Sequence, residues 1–455
     1  MHKRWITAAA CAALPAALAA EPSNADVLRQ LQALQQQVQQ QQAVIDSLKG
    51  QLQGTTPAPA PSQAELSALV KQEVKTAMEG KGGPGITLGK GIDGLRITGD
   101  LRLRYEYASV DGDPENPSSS RQGDTRAHDR FRHRARLGGI WSNTAENWEV
   151  GLGMEYGSGS GNSANDSWNK SSTWESGDVY LDYAYAKHKF TDDLAGLTLT
   201  LGQHKNPFLA TFALFDGDLR PTGLTLQYDK CAFFGTAGAY NLRSDSKVSG
   251  SEDESTADLL AAQLGLKWSK DDHHAKVAAG LYAGDSETSE YAFGEGNDDY
   301  AFTIAQLYAE AGTKLGGQVD AKLFGEYLAN LGVDDSFTQL SYAPGASFGQ
   351  AYDAGANDAA WCLGTEFGWH RFKASYAYAR IEGDSVPKFF ADSDFGAGLP
   401  DGALNSQGHV ISLAYALTKN CELRGTLFLV NPLEEDEGND AMGVSQTQLD
   451  VVYKF

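Results

Sequence analysis

The chain has 455 residues, with 59 acidic against 37 basic side chains, a formal net charge of −22, 50 glycines and 4 cysteines. A mean hydropathy of −0.38 with 41% hydrophobic residues cannot supply the runs of about 20 apolar residues that a helical membrane protein needs. The acidic balance argues against a nucleic-acid binder, which needs a basic footprint, and few cysteines without a CxxC pair argue against a disulfide scaffold or structural zinc.

The first residues read as an export signal. Met1-His2-Lys3-Arg4 is a basic start, Trp5 to Leu18 is an apolar, alanine-rich stretch, and Ala17-Leu18-Ala19 fits a cleavage site after Ala19. A lipoprotein site at Ala8 to Cys11 would leave too short an apolar stretch and lacks the usual leucine. Export removes Cys11 and leaves Cys231, Cys362 and Cys421, which permits at most one disulfide within a monomer.

Residues 20–54 carry a heptad seam. Leu31, Val38, Ile45 and Leu52 fall at a, and Val27, Leu34, Gln41 and Leu48 at d, which predicts a coiled coil rather than a low-complexity glutamine tract. A lone helix of this kind is marginal in water, so oligomerisation is expected. Residues 55–85 follow as a linker, in which Thr55 to Pro61 is extended. A capping-box pattern at Ser62 and Glu65 opens a short helix through Met78, and Gly80 to Gly85 ends it.

From residue 86 to 455 the hydrophobic period is two. In Leu95 to Tyr107 the odd positions are apolar or glycine and the even positions mostly charged. Arg130, Arg132, Arg134 and Arg136 continue the pattern, as do Trp148 to Tyr156, Val179, Leu181, Tyr183 and Tyr185, then Trp361 to Phe367 and Leu449 to Phe455. Sixteen such segments are predicted, centred near residues 101, 136, 153, 184, 200, 226, 237, 264, 279, 308, 323, 364, 376, 413, 426 and 449. Fourteen or eighteen would also fit.

Their connections alternate between long and short. Long ones fall near 109–129, 157–177, 205–222, 243–257, 284–300, 330–357, 381–407 and 431–442. Short ones fall near 142–147, 190–196, 229–231, 270–274, 314–317, 369–371 and 418–421. That asymmetry predicts an all-β transmembrane barrel with both termini on the short-turn, periplasmic side. At about 23 residues per strand and connection, it has the channel-forming size. Tyr105, Tyr107, Trp141, Trp148, Tyr156, Trp268 and Trp369 lie near strand ends, where interfacial girdles form. The acidic surplus sits mostly in the long loops, where solvation explains it more simply than cation binding. Asp216-Gly217-Asp218 and Asp392-Ser393-Asp394 lack the ligand spacing of a defined calcium site.

At this point the stretches GLRITGDLRLRYEY (94–107), DRFRHRARL (129–137), DVYLDYAYAKH (178–188), LTLTLGQHKNPF (197–208), FDGDLRPTGLTLQY (215–228), DSDFGAG (392–398) and GHVISLAYALTKNCEL (408–423) resemble a porin family of Gram-negative outer membranes with an N-terminal coiled coil. More distantly the chain is similar to phosphate-selective porins, but no lysine-rich phosphate pathway is evident. The resemblance implies a water-filled, trimeric diffusion channel, and the terminal aromatic Phe455 looks like the signal read by the barrel assembly machinery. Its implied partners are other copies of the chain, outer-membrane lipids and lipopolysaccharide, the assembly machinery and small solutes, with no nucleic acid and no cofactor.

The parity of the strands aims Arg96, Arg102, Arg104, Arg130, Arg132, Arg134 and Arg136 inward, with Asp100, Glu106, Glu149, Glu155, Asp178 and Asp182 as nearby counter-charges. Bracing of the wall and ion selectivity are compatible roles for them. The loop 205–222 is unusually apolar, with Phe208, Leu209, Phe212, Leu214 and Phe215. Exposed, it would be a costly patch, so it is expected to fold inward as a constriction, with packing at a subunit interface as the alternative. As a constriction it runs from Lys205 and turns Asp216, Asp218 and Arg220 toward the opening.

Interior charges should outweigh loop charges lying beyond a Debye length of about 8 Å, which gives an expectation of weak anion preference or none. Other function classes are less well served. No histidine sits in a nucleophile–base motif, and no HExxH appears, so an enzyme is not expected. A cell-wall tether, or a barrel sheathing an electron conduit, stays open as an alternative.

Overall fold

The computed structural model describes residues 94–110, 125–157, 163–169, 177–243, 257–284, 302–333, 357–399, 402–433 and 443–455. The signal segment, the coiled coil and the linker helix expected before residue 86 lie outside these. The chain divides into two units, Met1–Lys81 and Gly82–Phe455, and every described residue belongs to the second. No helix among the described residues is long and apolar enough to cross a membrane.

Among the described residues seventeen strands form one antiparallel sheet. They are β1 (Leu95–Val110), β2 (Thr125–Asn143), β3 (Trp148–Gly157), β4 (Asp166–Ser167), β5 (Asp178–Lys189), β6 (Leu197–Gln203), β7 (Thr222–Lys230), β8 (Phe233–Arg243) and β9 (Ala257–Lys270). The series continues with β10 (His273–Gly284), β11 (Thr303–Leu315), β12 (Val319–Asn330), β13 (Ala359–Trp369), β14 (Phe372–Ile381), β15 (Ser406–Ala416), β16 (Cys421–Pro432) and β17 (Val444–Lys454). Sixteen of them pair in sequence order. The last, β17, returns to β1 from Asp100↔Lys454 to Val110↔Val444, so the sheet closes into a barrel without an edge. The two-residue β4 only extends the rail beside β2, at Arg132↔Ser167 and His133↔Asp166.

Closure answers a physical demand. In lipid each backbone N–H and C=O must find an internal partner, and a closed sheet supplies one for all. Strand count and loop alternation agree with the expectation from sequence, including the segments near 237 and 308, which are β8 and β11. The faces follow from register. Leu264, Leu307 and Leu323 point outward and are 73, 62 and 65% exposed, as lipid-facing residues of a barrel should be. Tyr107, Trp148, Trp268 and Trp369 are likewise exposed on the outer face.

The core is inside the barrel, toward the long-loop end. Segments 204–221 and 382–405 (the latter in its described residues 382–399 and 402–405) fold into the lumen, and Leu214, Phe215, Phe390, Phe395 and Leu404 bury against Tyr282, Ile304, Leu328 and Ile381 of the wall. The three cysteines among the described residues are free, Cys362 buried and Cys231 exposed.

The strand β5 departs from its sequence pattern. Across β3 and β5, Gly153 pairs with Tyr183 but Met154 pairs with Leu181, which leaves Asp182 as an extra residue. This bulge reverses the parity of the strand. Val179 and Leu181 stay outside at 64 and 46% exposure, whereas Tyr183 and Tyr185 turn inward, not outward as strict alternation predicts.

The seam ends at Phe455, which exchanges backbone hydrogen bonds of 3.0 Å with Gly99 in both directions. Its ring lies over Gly99, where an added Cβ would also come within 2.6 Å of the Arg136 carbonyl. Gly99→Val should therefore open the seam, lowering the fraction of heat-modifiable, folded barrel on a gel, while Ala108→Val at the far end of β1 provides a comparison.

Candidate functional site in the lumen

The inward faces of β1 and β2 carry a ladder of arginines in direct register: Arg102 opposite Arg134, Arg104 opposite Arg132, and Glu106 opposite Arg130. Like charges so close need counter-charges, and neighbouring strands supply Asp100, Glu106, Glu155 and Asp450 while the infolded segments add Asp218 and Asp394. Arg134 reaches Asp100 at 2.8 Å and Asp218 at 3.2 Å, and Arg136 reaches Asp218 at 2.9 Å and Glu155 at 3.0 Å. Arg104 binds Asp450 through Nε at 2.7 Å and Asp394 through Nη1 at 3.0 Å. Glu106 receives Arg130 at 2.6 Å and Arg132 at 3.2 Å. Arg102 instead donates from Nε to Asn165 Oδ1 at 2.9 Å.

Two wall arginines thus grip one aspartate from segment 204–221, and a third grips one from segment 382–405. Burial works against the charge on Asp218, but Arg134, Arg136 and Arg102 outweigh it and hold the carboxyl down at about 2. The two segments also dock on each other. Asp216 N–H donates to the Phe390 carbonyl at 2.9 Å, Ser393 N–H donates to Asp216 Oδ2 at 2.9 Å, and the Phe215 and Phe390 rings meet edge to face at 4.8 Å.

The opposite wall holds segment 204–221 by polar groups. Gln263 and Gln306 each donate to the Leu209 carbonyl at 2.8 Å, and Glu326 accepts from Thr211 N–H at 2.9 Å. At its root, His204 Nδ1 lies 2.7 Å from the Lys205 carbonyl and Nε2 lies 2.9 Å from the Thr225 hydroxyl. A carbonyl only accepts, so Nδ1 carries the proton and Nε2 accepts from Thr225. Burial lowers the His204 pKa and keeps the ring neutral.

The sequence-predicted residues therefore come together unevenly. Asp182 binds Arg220 at 2.8 Å within the cluster, whereas Asp178 sits exposed at the start of β5, where it accepts from Tyr180. Phe208 and Phe215 are buried in the internal core, the Phe212 ring lies tilted against Phe395 with centroids 5.2 Å apart, and Lys205 is exposed. Asp216 is buried at the junction between the segments. Sequence reasoning missed Asn165, Asp394 and the inward Gln263, Gln306 and Glu326. It also missed that 382–405 folds inward, although Phe389, Phe390, Phe395 and Leu399 in one long connection are the same signal that marked 205–222. Among the described residues no group of histidine, cysteine or acidic side chains has the arrangement of a metal site.

A closed barrel with paired charges inside is a fold shared by many membrane proteins, and comparison with known proteins narrows it. The sequence model of a family described as "Putative porin" matches residues 17–291 and 299–455. The chain belongs to that porin family. It is therefore an outer-membrane diffusion channel. Among solved structures, Pseudomonas putida OprB at high pH matches with a TM-score of 0.51 and 13% identity, covering 80% of this chain and 94% of that one. A mutant of Rh. blastica porin (TM-score 0.41, 11% identity, 79% and 100% coverage) and in-vitro folded OmpT of Vibrio cholerae (0.41, 10%, 79% and 97%) also match. No curated protein matches.

Asp392 titrates in the opposite sense to Asp218. Burial, then Asp394 and Asp216, push its carboxyl up to about 8. A carboxyl raised in the folded state makes its full contribution to stability only below its ordinary value of 3.8, and that contribution is lost as the pH rises from there through about 8. The porin's internal junction should therefore loosen progressively over that window and change little above it, seen as added current fluctuation in single-channel records, and Asp392→Asn should remove the effect. The Asp218 clamp should persist over the same range, because its carboxyl stays ionised down to about pH 2.

Proposed function

We propose that this porin passes small hydrophilic solutes and ions with weak anion preference or none, through the lumen left beside segments 204–221 and 382–405. The observation that carries this reading is the pairing itself. Arg104, Arg130, Arg132, Arg134 and Arg136 each lie within 4 Å of a carboxylate, so the ladder's field is largely cancelled where it is made. The bracing and selectivity roles of the arginines then coincide. They hold the constriction in place and leave it near neutrality.

The same reading places residues 1–19 as the export signal. The coiled coil of residues 20–54 then lies in the periplasm, on the short-turn side, and joins copies of the chain into a trimer. The outward leucines meet lipid and lipopolysaccharide, and Phe455 serves as the assembly signal. The heptad seam, the terminal aromatic and the loop asymmetry support these assignments. No observation favours a tether or an electron conduit.

Single-channel recording in a planar bilayer under a salt gradient tests the reading. Discrete, long-lived steps with a reversal potential near zero or slightly on the anion side are expected. Folded protein that gives no steps would refute an open pore. Replacing Arg132 and Arg134 by Ala releases Asp218 and Asp100 from Arg134, and should move the reversal potential toward cations. Unchanged permeability ratios would remove those arginines from the constriction.

A further inference from the structure

Below the charge cluster, toward the short-turn end, the inner wall changes character. Gly138, Gly151 and Gly153 leave a shallow trough on β2 and β3, and the rings of Tyr183 and Tyr185 from β5 lie in it. An added Cβ at Gly151 would strike the Tyr185 ring, and one at Gly138 or Gly153 would strike Tyr183. The two centroids are 5.8 Å apart at 43°, and both residues keep part of their surface open to the lumen. Rings seated over glycine leave ring surface, with no neighbouring side chain beneath them, open to the lumen.

Hydrogen-bonding groups close both ends of this platform. At the short-turn end Tyr185 donates to Glu149 Oε1 at 2.9 Å, Lys187 reaches the same oxygen at 2.5 Å, and the ammonium stands 5.7 Å from the Tyr185 ring centre. At the other end lies the Asp182–Arg220 pair. Glu149 with Lys187 at one end and Asp182 with Arg220 at the other are paired, so the platform offers both acceptors and donors.

We propose that Tyr183 and Tyr185 form a stacking platform inside the pore for a neutral, polyhydroxylated ring, a pyranose sugar or a cyclitol. The inference rests on the channel reading above and names a solute class for it. The C–H groups on one face of such a ring carry partial positive charge and meet the negative face of tyrosine. Its outward hydroxyls reach Glu149 and Lys187 at one end and Asp182 and Arg220 at the other. A simple ion uses only the polar half of this arrangement, and an apolar solute only the aromatic half.

The test is solute block of the ion current in planar bilayers, comparing glucose with an acyclic hexitol of the same carbon number. Glucose is expected to reduce the current saturably, and the hexitol to do so several-fold more weakly, because it presents no rigid ring face. Tyr183→Ala with Tyr185→Ala should weaken the glucose block by about tenfold, as expected for two stacked rings. Tyr183→Phe with Tyr185→Phe keeps the ring faces and should retain most of it. Equal block by glucose and hexitol in the unaltered porin would overturn the platform and needs no variant to fold. So would a glucose block unchanged in the double alanine variant. Ion steps without ring-specific block would sink the platform alone, whereas no ion steps at all would remove the channel reading and the platform together.

Discussion

The pairing of β1 with β17 is the constraint on which the rest of this molecule hangs. A sheet in hydrocarbon cannot leave an edge, since each unpaired backbone group there costs several kcal/mol. Once the seam from Asp100↔Lys454 to Val110↔Val444 is made, the pleat fixes two faces for every strand. The outer face must suit lipid, and it carries leucine, valine and aromatic side chains. The inner face is left to the polar residues, together with whatever apolar segments are folded in to meet it.

Charge placement follows from that division. Glu106, Arg104 and Asp450 are almost wholly buried, in a protein whose lumen could have kept such groups wet. They are buried because segments 204–221 and 382–405 lie over them, and those segments stay because Asp218 and Asp394 are gripped from the wall. Removing one partner from a buried pair typically costs roughly 3–5 kcal/mol, since the other charge is stranded. Each loop is therefore fastened by contacts that are expensive to break singly. Gln263, Gln306 and Glu326 repeat the logic on the far wall with hydrogen bonds instead of ion pairs. The lumen is bounded by fastened segments rather than by free loops.

Much of this was legible in the order of residues. Alternation located every long strand, and the contrast between loops such as 157–177 and turns such as 190–196 separated the two ends. An apolar run in a connection, Phe208 to Phe215, announced that segment's inward fold, and the same rule would have found Phe389 to Leu399. Asn165 had no such signal, since a glycine- and serine-rich stretch gives no reason to expect one residue to reach Arg102. The bulge at Asp182 was also invisible. Tyr183 and Tyr185 sit two apart in phase with Val179 and Leu181, and tyrosine suits either face of a barrel wall.

That single inserted residue links fold to function more tightly than any motif in the chain. Without it, the phase of β5 would turn Asp182 toward the lumen and both tyrosines toward lipid. With it, Asp182 meets Arg220 while the tyrosines occupy the trough left by Gly138, Gly151 and Gly153 on the neighbouring strands. Three glycines, a bulge and two tyrosines are thus one device. The glycines weaken their strands in isolation, but rings from β5 cover what they leave bare. A side chain at any of the three would push a ring out into the passage, so the seating of both rings depends on the absence of side chains at these three positions of β2 and β3. The local cost of glycine in a strand is understandable only from the inside of the barrel.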